Sequence, residues 1–99
     1  MPVLVDLWAV WCAPCRQVCP VLARLAHERA GLVKLVKVDV DKAPELSQRF
    51  DVQAIPTLLV LHGGAVVARQ TGAAPGNILA EWLDRALSTS EATTKQAGT

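Results

Sequence analysis

No apolar run in this chain is long enough to span a membrane, because Asp6 and then Arg16 interrupt the one candidate stretch. The opening Met1-Pro2 carries no basic cluster and no small-residue cleavage site follows. An export signal is therefore not expected, and the expected compartment is cytoplasmic. Charge of one sign is lacking as well. Ten Lys and Arg against nine Asp and Glu leave a net charge of +1, which offers no electrostatic footprint for nucleic acid or for an anionic membrane. Cysteine is scarce, and three residues without an export signal do not suggest a disulfide framework. There are no internal repeats. What is present is apolar: 52% of 99 residues is too hydrophobic for a disordered chain, and the length suits one domain with one core.

The hydrophobic pattern predicts alternating elements. Residues 3–9, rich in Val and Leu at both parities, read as a strand covered on both faces. Residues 13–30 read as a helix with Val18, Leu22, Leu25 and Ala26 on one stripe and Gly31 as its stop. Pro14 sits in its first turn, where the missing N–H costs nothing, and Pro20 is expected to kink it. Residues 32–40 form a second strand, 41–50 a short helix, and 55–61 and 65–70 two strands joined by the turn signal His62-Gly63-Gly64. A loop over 72–76 leads to an amphipathic helix over 77–87. The Ser/Thr/Ala/Gln/Gly-rich residues 88–99 are expected to be a disordered tail. The expected domain is thus 1–87. The order is βαβαββα, which predicts an α/β sandwich around a mixed sheet.

The three cysteines fall together, in "WCAPCRQVCP". Cys12 stands at the junction of the first strand and the long helix, where unpaired N–H groups and the helix dipole favour a thiolate. Only the thiolate attacks a disulfide, so this position selects Cys12 as the nucleophile. Cys15 lies in the first turn on the same side, near enough to close a ring with Cys12. A C-x-x-C in this context reads as a redox motif. Metal readings exist: C-x-x-C is half of many zinc sites, His27 or His62 would complete a Cys₃His set, and Cys12, Cys15, Cys19 and Pro20 match the tail of an iron–sulfur motif. No second C-x-x-C or fourth thiolate exists, and both histidines are expected on distant elements. Spacing and context favour redox, and no metal or cofactor is expected. Cys19 reads either as a small apolar core residue or as an accessory thiol.

Asp6 stands alone among apolar neighbours, six residues before Cys12. A charge there costs several kcal/mol unless paired or protonated. On the second strand Lys37 shares a face with Val33 and Leu35, so it is the expected partner. A half-buried carboxylate with a raised pKa suits acceptance of the Cys15 proton. An ordinary surface ion pair is the alternative.

With these residues assembled, the chain resembles the thioredoxin family over residues 3–87. Trp11-Cys12-Ala13-Pro14-Cys15 is similar to the family's active-site signature, Asp6 and Lys37 to its buried aspartate and partner lysine, and Trp8 to the tryptophan beneath the site. "AIPT" matches the family's cis-proline loop, so Pro56 is expected to follow a cis peptide and lie against the cysteines. The resemblance implies a three-layer thioredoxin-like sandwich and protein-disulfide reductase activity. It also implies a client groove in which Ile55 and Pro56 hold the partner's backbone and Trp11 and Gly72 frame it. The implied partners are disulfide-containing client proteins and a flavoprotein thioredoxin reductase that reloads the pair. Nothing in this chain is expected to bind a nucleotide.

Three departures stand out. Ala13 replaces the usual Gly, Val10 replaces a commonly acidic position, and the family's first strand and helix have no counterpart in this sequence. The second strand is then expected to be a sheet edge, with Lys34 as its evident gatekeeper. Two consequences are open: a shortened, less stable form of a longer protein, or self-association into a homodimer by strand pairing or by packing of the bare faces. Self-association is the one expected.

Overall fold

The structure, a computed structural model, describes the backbone of residues 1–98 and the side chains of residues 1–89. Its elements are β1 (Val3–Trp8), α1 (Ala13–Glu28), β2 (Lys34–Asp39), α2 (Pro44–Arg49), β3 (Thr57–His62), β4 (Ala65–Thr71) and α3 (Gly76–Gly98). The sheet order is β2-β1-β3-β4. β1 runs parallel to β2 and antiparallel to β3, and β3 runs antiparallel to β4, so the sheet is mixed.

The doubly apolar pattern of β1 follows from its central place. Its even residue Leu4 packs with Val18, Leu22 and Leu25 of α1 and with Leu79 and Leu83 of α3 in the main core. Its odd residues Val5 and Leu7 face the other way and pack with Leu59, Val38, Val40, Phe50 and Val52. A strand with helices on one face and the α2 segment on the other needs hydrocarbon at both parities. The result is three layers, the α2 layer being thin: none of the residues of α2 is buried.

Turn chemistry fixes the rest. Gly63 and Gly64 have φ of +61° and +82°, so both central positions of the β3–β4 turn are left-handed, as a two-residue hairpin requires. Helix α1 continues through Pro20. Its last turn is tied to α3 by Arg29, whose Nε and Nη2 donate to the two carboxylate oxygens of Asp84 at 2.6 and 3.0 Å.

Helix α3 extends beyond residue 87, where the amphipathic stripe ends, and runs through most of the segment expected as a tail. Residues 88–97 contain no proline or glycine, and lengthening an existing helix costs far less than starting one. Thr99 lies outside the described residues. The β2 edge is as expected from the sequence, and Lys34 and Lys37 are both exposed on it. No helix among the described residues is long and apolar enough to cross a membrane.

Candidate active site

The site forms where β1 hands over to α1. Cys12 is the N-cap of α1, in an extended conformation with φ −91° and ψ 103°. Its backbone N–H donates to the Ala9 carbonyl (3.1 Å), and its carbonyl accepts the Arg16 N–H (3.3 Å). Its sulfur accepts the Cys15 backbone N–H at 3.2 Å, the place usually taken by a Ser or Asp oxygen. An N–H aimed at Sγ stabilises a sulfur anion there more than a neutral thiol. Cys12 and Cys15 are joined in a disulfide, their Cα atoms 5.3 Å apart. Cys12 keeps 5% exposure and Cys15 has none.

The pair sits in its own apolar cluster with Ala9, Trp8, Val40 and Ile55. The Ile55–Pro56 peptide is cis, Pro56 is fully buried, and the Thr57 hydroxyl donates to the Ala54 carbonyl across this loop. Gly72 donates its N–H to the Pro56 carbonyl at 2.8 Å. Its φ of +89° explains the glycine, and a Cβ there would meet nothing within 4 Å. Trp11 is 70% exposed, yet its indole N–H donates to Asp41 Oδ2 at 2.8 Å and so fixes the ring at the rim. Beside it an open groove of about 400 Å³ is lined by residues including Trp11, Val40, Pro44, Val52, Ala54 and Ile55.

On β1, before the cysteines in the chain, Asp6 is fully buried. Burial raises its pKa above the usual carboxylate value, while the Cys19 hydrogen bond and the Lys37 charge oppose the rise. Lys37 lies directly opposite Asp6 in the β1–β2 register. Among the described residues no ion pair joins them, so the contact expected from the sequence is not made. The group that touches Asp6 is Cys19, whose thiol donates to Oδ2 at 2.8 Å. Strand pairing brings Lys37 to the right register, but β2 is an edge strand and the lysine extends to water, where its charge is better solvated. Cys19 is buried as expected, though as a hydrogen-bond donor rather than only a space-filler. No group of three or more His, Cys, Asp or Glu side chains suited to a metal ion occurs among the described residues.

Comparison with known proteins agrees with this geometry. The thioredoxin family profile matches residues 1–85. The chain belongs to the thioredoxin family. It is 50% identical over 84 residues to Thioredoxin C-2 of Corynebacterium nephridii, which covers 85% of this chain and 78% of that one. It is 47% identical over 85 residues to the thioredoxin of Haemophilus influenzae, covering 86% and 79%. It is also 47% identical over 72 residues to a bifunctional thioredoxin reductase/thioredoxin of Mycobacterium leprae, covering 73% of this chain and 16% of the relative. As a thioredoxin-family protein it is a protein-disulfide reductase that works by thiol–disulfide exchange, with Cys12–Cys15 as its redox-active pair.

Two contacts of the site escaped the sequence reading. The Asp6–Cys19 bond depends on how α1 lies across β1. The spacing of thirteen residues gives no hint of it, although both residues were visible as oddities. The Trp11–Asp41 bond joins segments thirty residues apart.

Proposed function

We propose that Cys12 is the attacking sulfur and Cys15 the resolving one. The Cys12 thiolate attacks one sulfur of a client disulfide, the client S–S bond breaks, and the released client thiolate takes a proton from water. Cys15 then gives its proton to Asp6, attacks the Cys12 sulfur, and expels the second client thiolate, which is protonated in turn. Two electrons have passed to the client, and Cys12–Cys15 is oxidised. The single observation that supports these roles is the N-cap position of Cys12, with the Cys15 N–H on its sulfur. Lys37 acts at a distance, through its charge on Asp6. In the same reading Ile55, Pro56 and Gly72 hold an extended client segment while Trp11 walls the groove.

Reloading needs a two-electron donor. A thioredoxin reductase fits, and the relative that carries both activities in one chain supports that partner. A cytoplasmic location belongs to the proposal, since that compartment keeps thiols reduced. The domain is proposed to span 1–87, because Leu87 is the last described side chain packed on the main core. Self-association through the sheet face away from α1 and α3 completes the proposal.

Insulin reduction tests the roles. Cys12→Ser is expected to abolish both turnover and the mixed disulfide. Cys15→Ser is expected to abolish turnover but to accumulate that adduct. An adduct trapped instead in Cys12→Ser would reverse the assignment.

A further inference from the structure

Cys19 is the cysteine that exchange chemistry leaves unused. It sits one helical turn beyond Cys15 on α1, 8% exposed, with its thiol on Asp6 Oδ2 at 2.8 Å. The other carboxylate oxygen, Oδ1, is buried and has no hydrogen-bond partner among the described residues. A thiol has one proton to give, so this contact defines which oxygen is occupied and which is open. We propose that Cys19 is a positioning residue for Asp6: its thiol pins the carboxylate by Oδ2 and leaves Oδ1 as the acceptor for the proton that Cys15 releases. The inference rests on the reading of Asp6 as the base in the release step.

The surroundings support a donor and argue against a second nucleophile. Burial, the hydrogen bond to Asp6 and the negative charge of Asp6 push the Cys19 thiol up to about 11. It therefore keeps its proton at the pH where exchange runs. From β2 the Lys37 ammonium faces Asp6 across the register, and from β3 the opposing residue is Leu58, which does not titrate. From α1 come Cys15, Arg16 and Cys19. Arg16, Lys37 and Cys19 line one cavity of about 260 Å³ with Trp8, Pro20 and Ala23. Two cations thus stand on the cavity wall, but among the described residues the one hydrogen bond to the Asp6 side chain comes from Cys19. A thiol is a weak donor. It orients the carboxylate and partly offsets its burial, leaving it basic enough to take a proton.

The oxidised protein offers a clean probe. Cys12 and Cys15 are then a disulfide, so Cys19 carries the only S–H in a chain of three cysteines. Its infrared S–H stretch is expected below the free-thiol frequency, and to move both when acid protonates Asp6 and in Asp6→Asn. Release kinetics supply the functional arm, using a peptide disulfide whose fluorophore brightens on release. Cys19→Ala is expected to move the pH midpoint of release upward by about one unit, the effect of losing one hydrogen bond to a carboxylate. Cys19→Ser is expected to restore the midpoint, and the attack phase to stay unchanged in both variants. A free-thiol band that ignores pH overturns the inference, as do Ala and Ser variants with the same release profile. If Asp6→Asn leaves the release profile untouched, the base role itself fails and the inference falls with it. If Asp6→Asn alters the profile while Cys19→Ala does not, only the positioning role fails.

Discussion

Asp6 shows how one residue can be costly to the fold and useful to the reaction. It is fully buried, receives one thiol hydrogen bond and no contact ion pair among the described residues, and its pKa is raised mainly by burial. A carboxyl whose folded-state pKa lies above its unfolded value holds its proton more tightly when native. Stability therefore falls as pH rises from the unfolded value to the folded one, and the full cost is present above the folded value. Asp6→Asn replaces the costly anion by a neutral amide. It is expected to stabilise the protein by about 1–4 kcal/mol at neutral and alkaline pH, with the gain vanishing in acid below the unfolded carboxyl pKa. Denaturant midpoints measured across pH check this. A gain independent of pH would mean that the amide simply packs better.

At the scale of elements, the two long helices cover one face of the sheet and meet at Arg29 and Asp84. The guanidinium donates twice to the carboxylate and once, from Nη1, to the Leu25 carbonyl (3.1 Å), so it also caps a carbonyl in the last turn of α1. Arg29 hydrogen bonding holds Asp84 below the usual carboxylate range. A depressed carboxylate contributes stability that is present above its unfolded pKa and lost as pH falls through its folded pKa. The Asp84 side chain is 60% exposed, so solvent screening limits the pair. Asp84→Asn is expected to cost about 0.5–1 kcal/mol at neutral pH, less at high salt, and nothing in strong acid. Thermal unfolding at two salt concentrations measures it, and an equal loss at both would point to packing instead of charge.

At the scale of the molecule, the two faces of the sheet are unequally covered. On the face away from α1 and α3, Val3 and Leu61 are half-buried while Val36 and Val66 are exposed, at 37% and 42%. Val3, Leu61 and Val66 share one cross-strand row, which ends on Lys34 in β2. Val36 stands in the next row with Val5 and Leu59, which ends on Arg69 in β4, so the apolar patch is flanked by a cation at each edge. The β2 edge is the poorer contact, because a two-fold strand pair there would gather Lys34 and Lys37 of both copies along one seam. Face packing is therefore the proposed mode of self-association. Light scattering is expected to show a concentration-dependent dimer at micromolar protein, and Val66→Lys to keep the chain monomeric without loss of insulin reduction. A wild-type monomer at all accessible concentrations would sink the idea.

Local chemistry was enough to determine the element order, the hairpin at Gly63-Gly64, the redox pair and the central place of β1. Each follows from neighbours in sequence: parity on a strand, a cap before a helix, glycines at a left-handed turn. The turn and the C-x-x-C ring close within a few residues, so no distant part of the chain has a vote. Tertiary structure decided the rest. Which group meets a buried charge depends on the path of α1 over β1, and there Cys19 displaced Lys37 from the contact with Asp6. The brace between Arg29 and Asp84 and the anchor from Trp11 to Asp41 likewise join residues that periodicity cannot relate. The end of α3 lay beyond the reach of the pattern for the opposite reason, since a polar helix past Leu87 has no apolar stripe to announce it. A side chain's surroundings depend on the whole packing, whereas its backbone state is fixed mostly by its nearest neighbours.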